Sequence, residues 1–471
     1  MPSSTGPVGS TGLLLEIDRG REAPLHEQVE RAIRDGVRDG RLAPGTRLPS
    51  TRALAAELGI SRGVVSEAYG QLAAEGYLLM RQGAPARVAR AVRPPRQQAP
   101  SPSFRPSYRY HFDPVLPDIG SFPLDHWLRS LRFAWRQAPI DTIGYPDPRG
   151  LPALRQSLAD YLGRARGAAA DPEQILVCTG FTQALSLLCR WLAERGVDSI
   201  ALEDPGWHRQ RLIAEQAGLR VVPVPVDAEG IDVGALATSG ASAVVVTPAH
   251  QFPTGCVLSS ERRAALIEWA EAGEGLIVED DFDAEYRYDR AGVGALQGLA
   301  PERVAHIGSA SKRLAPGLRL GWALLPSWLA WQLSPAKELA DAGSEVVGQL
   351  ALHDFIERGE LDRHIRRTRL RYQRRREALL TALAKWLPEA GVSDGAAGLF
   401  ELVRLPAGTD EALVISRAAD LGVGVEGLGL HRFAAAGDPA LVLGFGCLPE
   451  PAIERGVRLL GQAVAEMPAS Q

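Results

Sequence analysis

Lysine is nearly missing from this chain. Of its 52 basic residues only three, Lys312, Lys337 and Lys385, are lysine, and the other 49 are arginine. A guanidinium stays charged and cannot condense with an aldehyde, whereas an amine can lose its proton and do so. A lysine kept against such a bias marks a place where an amine is needed. Lys337 and Lys385 sit in helix-like stretches (PAKELADAG and LLTALAKWL) and are expected as solvated or snorkelling side chains. Lys312 is different, because it lies in HIGSASKRLAPGLRLGW, residues 306–322.

Other shortages exclude whole classes. The four cysteines, Cys178, Cys189, Cys256 and Cys447, show neither metal-ligand spacing nor a dense disulfide pattern. Reduced, buried thiols in a cytoplasmic protein without a bound metal are the expectation. No apolar run approaches the length of a membrane span. The opening MPSSTGPVGS lacks the basic and apolar regions of a secretory signal.

What is present is unevenly charged. Residues 1–110 hold 16 arginines against 10 acids, a net charge of +6, while the remainder carries −10. A basic first part joined to an acidic body points to an anionic partner for the first part alone. The length of 471 residues calls for more than one domain.

From Pro24, Leu25, Val29, Ile33 and Val37 recur at a spacing of four, and Gly40 ends the run. Ser50 and Ser61 are the expected N-caps of two short helices joined across Gly59-Ile60, which predicts a helix-turn-helix. Tyr77–Met80 and Ala86–Ala89 are expected to pair as a wing. In such a unit the first turn of the second helix enters the major groove of duplex DNA. The stretch from Pro24 to Met80 resembles the winged helix-turn-helix of GntR-type bacterial regulators. That resemblance implies DNA contact by Arg52, Ser61, Arg62, Gly63 and Val64, with Gly83 at the wing tip; Arg47 lies nearby as a phosphate contact. The wing departs from the usual Gly-Ser-Gly-Thr, reading Gly83-Ala84-Pro85-Ala86. The DNA-binding domain is set at 13–90 and a Pro- and Arg-rich linker at 91–107.

The body, 108–471, alternates short β-branched runs with helical patterns, which predicts an α/β fold with a mostly parallel sheet. Expected strands are ILVCT (175–179), SIALE (199–203), AVVVT (243–247), GLIVED (275–280), RVAHIG (303–308) and GWALL (321–325). Ligands in such sheets bind beyond the carboxyl ends of the strands. There the sequence places Gly180-Phe181-Thr182 as a phosphate seat and Trp207 as a flat ring. It also places Asp280 or Asp281 as an acid at a buried strand end, and Ser309 close to Lys312, with Arg319 seven residues on. An amine, a phosphate seat, a stacking ring and a buried acid are together what pyridoxal 5'-phosphate (PLP) requires.

These motifs, with FDPVLPDIGSFP, YPDPRGLPALRQSLADYL, HQFPTG and EDDFDAEYRY, resemble a fold-type I aminotransferase. Its fusion to the winged helix resembles the MocR-type regulators. The resemblance implies a large subdomain at about 140–330 and a smaller C-terminal α+β subdomain at about 345–471. It also implies the cofactor's C=N bond at Lys312 and its ring nitrogen on Asp280, with Asp281 as the fallback. Trp207 is expected over the ring, and Gly180, Phe181, Thr182, Ser309 and Arg319 around the phosphate. Tyr145 is expected to reach a partner subunit's cofactor, in a homodimer of head-to-tail, domain-exchanged form.

Three positions depart from aminotransferases: Phe252 in place of the asparagine of Asn-Pro-Thr-Gly, Phe282 after the paired aspartates, and Val442 where an arginine commonly holds the substrate carboxylate. Arg432 is a poor match as its substitute. These losses favour a regulator that binds operator DNA and senses an amino acid, an amine or PLP itself. The alternatives are a working aminotransferase with an accessory DNA-binding domain, and an interaction module without cofactor.

Overall fold

A computed structural model describes residues 17–18, 20, 23–81, 83–89, 108–289, 292–393, 395, 397–434 and 437–465. The expected linker at 91–107 lies outside them. The chain divides after residue 106 into two compact units.

In the first unit, α1 (Leu25–Arg38), α2 (Thr51–Leu58) and α3 (Arg62–Ala74) precede β1 (Leu78–Leu79) and β2 (Arg87–Val88). Both predicted caps form: Ser50 Oγ accepts from the Ala53 amide at 3.1 Å and Ser61 Oγ from that of Val64 at 3.4 Å. Gly59 ends α2 in the left-handed region at φ 64°, which turns the chain sharply into α3. Val29, Ile33 and Val37 of α1 pack with Leu54, Val65, Tyr69 and Leu72 into one core, which Leu78 and Val88 of the wing complete. The wing strands pair antiparallel, Leu78 opposite Val88.

The second unit opens with β3 (Tyr110–His111), α4 (Leu124–Gln137) and α5 (Pro152–Arg166). A strand–helix alternation follows: β4 (Ile175–Cys178), α6 (Phe181–Glu194), β5 (Ser199–Asp204), α7 (His208–Gln216), β6 (Arg220–Asp227), β7 (Gly230–Ile231), α8 (Val233–Thr238), β8 (Ala243–Val246), α9 (Ser260–Ala272), β9 (Leu276–Asp281), β10 (Val304–Ser309), α10 (Ala310–Arg313) and β11 (Gly321–Leu324). Helices α11 (Ser327–Asp341), α12 (Val346–Glu357) and α13 (Glu360–Trp386) lead to β12 (Gly391–Val392), β13 (Phe400–Arg404), α14 (Glu411–Asp420), β14 (Val423–Gly424), β15 (Glu426–Gly427), β16 (Ala440–Gly444) and α15 (Glu450–Ala465).

Eight strands form the main sheet in the order β4-β11-β10-β9-β8-β5-β6-β7. Neighbours from β10 to β6 run parallel, and β11 is antiparallel to both β10 and β4. Alternate residues feed opposite faces, as the two-residue strand period requires. On β8, Ala243 and Val245 pack under α6, α7 and α11, while Val244 and Val246 pack under α8 and α9. A second antiparallel sheet, in the order β12-β13-β16-β15, belongs to the C-terminal part, where β14 pairs with β3.

All six expected strands form, and β6 and β7 are additions. The prolines of β6, Pro223 and Pro225, would weaken a central strand. They alternate, and the Pro225 carbonyl accepts from Asp232 on the side away from β5. The missing amides therefore fall at the outer edge, and pairing with β5 survives.

Lys337 departs from expectation. Its side chain is fully buried in α11, where the ammonium donates to Asp341 at 2.8 Å and to Ser344 Oγ at 3.0 Å. A carboxylate one turn away and a hydroxyl replace the water it was expected to meet. Lys385 does face solvent, beside Glu454 at 3.2 Å.

Candidate cofactor and DNA-contact sites

Lys312 stands on α10, one turn of helix directly after β10. Arg313 fixes that turn: Nη1 donates to the Ser309 carbonyl at 2.7 Å, Nη2 reaches Asp281 Oδ2 at 3.1 Å, and Nε meets Glu285 at 2.5 Å. Tyr286 adds a bond from its hydroxyl to the Lys312 carbonyl at 3.2 Å. The backbone is thus held from several sides while the side chain extends to the Val115 carbonyl, to which Nζ donates.

The two aspartates ending β9 face opposite ways and meet opposite surroundings. Asp281 is buried against Arg166, Arg313 and His306. Burial raises its pKa, but Arg166, His306 and Arg313 outweigh that and hold it far below the usual range. Asp280 is pushed well above the carboxylate range by burial first, then by the charges of Asp281 and Asp283, with Lys312 pulling the other way. Its carboxylate accepts from Gln210 Nε2 at 3.4 Å. A buried acid so destabilised in its charged form is suited to a cationic partner.

Gly180 closes the far side. Its φ of 123° is open to glycine, and a Cβ there would sit 3.6 Å from the Arg319 guanidinium. Gly321 must also be glycine, since a Cβ would lie 2.7 Å from Gly180 Cα. Phe181 and Thr182 begin the 14-residue α6, whose first amides and dipole suit an anion beside Arg319. Trp207 caps α7 with its ring centroid 6.0 Å from that of Phe181. Ser309 is buried at the end of β10. Gly180, Arg319, Phe181 and Trp207 thus adjoin one another, Asp280 meets Gln210 one helical turn after Trp207, and Lys312 follows the strand paired with that of Asp280. Tyr145 stands apart, 94% exposed.

In the first unit Ser61, Arg62 and Gly63 are exposed at the start of α3, with Val64 half-buried. Arg62 Nε lies 3.4 Å from Thr51 Oγ1. Arg47 and Arg52 are exposed, and so is Gly83 at φ 78°, on the turn between the wing strands.

Residues 25–88 match the bacterial regulatory proteins of the gntR family, and residues 120–425 match aminotransferases of class I and II. The chain is 31% identical to a probable rhizopine catabolism regulatory protein, MocR, of Rhizobium meliloti, over 97% of both chains. It is 32% identical to the pyridoxine biosynthesis transcriptional regulator PdxR of Corynebacterium glutamicum, over 94% of this chain and 95% of that one. The chain belongs to the MocR-type transcriptional regulators.

Among solved structures, a Pyrococcus horikoshii kynurenine aminotransferase in complex with PMP superposes with a TM-score of 0.69 at 26% identity, covering 76% of this chain and 90% of that one. The body of this MocR-type regulator therefore has the class I and II aminotransferase fold, a family that typically uses PLP. Among the described residues no helix is long and apolar enough to cross a membrane.

In this MocR-type chain the three departures fall in one buried apolar cluster. Phe252, Phe400, Leu402, Leu428, Ala440 and Val442 cluster, with Val115, Trp207 and Phe282 packed against them. Val442 is fully buried there. Arg432 donates to the Asp438 carbonyl at 2.7 Å and lines a small cavity with Trp207 and Gln210. Sequence reading overlooked Gln210 and Val115, which touch Asp280 and Lys312. Gln210 was within reach, one helical turn after Trp207; a backbone carbonyl 197 positions from its lysine left no signal.

Proposed function

We propose that this regulator binds PLP through Lys312 and that occupancy of this site changes its affinity for operator DNA. The observation carrying the reading is that Lys312 and the buried Asp280 stand at the ends of two adjacent parallel strands, β10 and β9, in a chain that also bears an exposed α3 N-terminus. When bound, PLP supplies an aldehyde for an amine and an electron-withdrawing ring. Asp280 would hold a proton on the ring nitrogen, which removes the cost of its own buried charge. Trp207 would cover the ring, while the α6 amides, Ser309 and Arg319 would take the phosphate. Lys312 would exchange the Val115 carbonyl for the cofactor.

The surrounding apolar wall favours sensing over turnover. Val442 is buried at the position where aminotransferases commonly hold the substrate carboxylate with an arginine, and Arg432 is bonded to the Asp438 carbonyl. Poor orientation is costly in rate but does not prevent binding. The effector is an amino compound or PLP itself, acting through different affinities for two arrangements of the protein. The exposed Phe133, Trp135, Ile140 and Tyr145 support self-association as a homodimer.

Selection of binding sites from random duplex DNA tests the reading. The full chain and Lys312→Ala should recover the same motif, with PLP altering the affinity of the unsubstituted protein alone. No motif, or an equal PLP effect in the variant, overturns it.

A further inference from the structure

On the other side of Asp281 from Asp280 lies an open cleft of about 220 Å³ between α5, the segment after β9, and α13. Arg166, Glu285, Arg287, Asp362, Arg366 and Arg369 line it. Its acids are already engaged: Glu285 with Arg313 and Tyr161, and Asp362 with Arg164 at 2.8 Å. Several of its cations are not. Arg366 and Arg369, one turn apart on α13, form no ion pair with a carboxylate among the described residues. Arg287, with a side chain only 4% exposed, sends Nε and Nη2 to Asp289, yet its Nη1 is buried with no partner. Glu285 Oε2 is buried without a partner as well.

Buried donors and acceptors are costly to leave unmade. An anion in the cleft would meet Arg366 and Arg369 directly, and a small turn of the Arg287 and Glu285 side chains would bring their unpartnered atoms onto a ligand that also carries a hydrogen. We infer that this cleft is a second ligand site, separate from that of Lys312, for a small phosphate- or carboxylate-bearing molecule. The volume is below the usual 300–1,000 Å³ or so of drug-sized pockets, which suits a compact anion. Arg166 carries the effect inward, since it grips Asp281, which Arg313 joins to the Ser309 carbonyl beside Lys312. Linkage makes any such coupling reciprocal. The inference stands whether or not PLP occupies Lys312.

Inorganic phosphate is the probe, added to the PLP-saturated full chain at constant ionic strength, with melting temperature as the readout. Saturating the protein with PLP fills the other phosphate site, and a chloride control removes the general salt effect. Saturable stabilisation is expected, with its half-point raised about tenfold or more in Arg366→Ala/Arg369→Ala and its melting temperature in chloride unchanged. Arg369→Gln alone should give a smaller rise, and serves if the double variant does not fold. An identical phosphate response in the variants, or none in the unsubstituted protein, overturns the inference. Loss of operator affinity in the variants without any phosphate response does so too, and reassigns the arginines to DNA backbone.

Discussion

Arg166 grips Asp281 with two parallel contacts, Nη2 to Oδ1 at 3.0 Å and Nε to Oδ2 at 3.1 Å, and both side chains are buried. The fork geometry is the strong form of the arginine–carboxylate pair. This contact divides the labour between two adjacent aspartates. Asp281 is consumed by the protein's own cations, and Asp280, on the other face of β9, is left to a ligand.

Asp281→Asn should therefore strand Arg166 and Arg313 in the interior. Losing one partner of a buried pair costs on the order of 3–5 kcal/mol, and urea denaturation should show a loss of that size. Asp280→Asn should leave stability unchanged or raised, while weakening PLP binding. Equal losses of stability in the two variants would contradict the division.

How much of this was legible in the sequence depends on distance along the chain. The strand ends and Lys312 were readable because a two-residue period and an anomalous lysine are local signals. So were Ser50 and Ser61, since a cap acts on an amide three residues away. Arg166 and Asp281 are 115 positions apart and were invisible as a pair. Lys337 misled because a helical pattern says which face is apolar, not whether a half-buried carboxylate waits one turn on. Strand β6 was hidden by prolines whose harm depends on the side of the strand they face.

Glu203, at the end of β5, gives a pH signature. Burial raises its pKa from 4.5 to about 7, and the bonds from Thr247 and Gln251 only partly offset this. A folded state that holds the proton more tightly is favoured most below pH 4.5 and loses that advantage as pH rises through 7. The contribution is about 3 kcal/mol at most. Relative to Glu203→Gln, the unsubstituted protein should lose stability between pH 5 and 7 or so. A constant difference across that range would contradict the assignment.

On the DNA side, Arg47→Ala should weaken binding to all sequences and lower the magnitude of the salt slope by about 1. Arg62→Ala should also relax base preference, at a cost of about 1–3 kcal/mol for the preferred site. Fluorescence anisotropy with specific and scrambled duplexes separates the two effects. A uniform loss from Arg62→Ala would make it a phosphate contact instead.

Gly321→Ala tests the phosphate seat. The added Cβ meets Gly180 Cα and must displace the turn that faces Arg319. The concentration of PLP giving half-saturation should rise about tenfold, equivalent to about 1.4 kcal/mol. An unaltered titration would place the phosphate elsewhere.

The most direct measurement is the absorbance of the cofactor-free full chain titrated with PLP, beside Lys312→Arg, which keeps the positive charge and removes the condensing amine. The unsubstituted protein should develop a saturable near-visible band that the variant lacks. The same band at the same concentrations in both proteins would mean that the cofactor is held by some other residue, contradicting the assignment of Lys312.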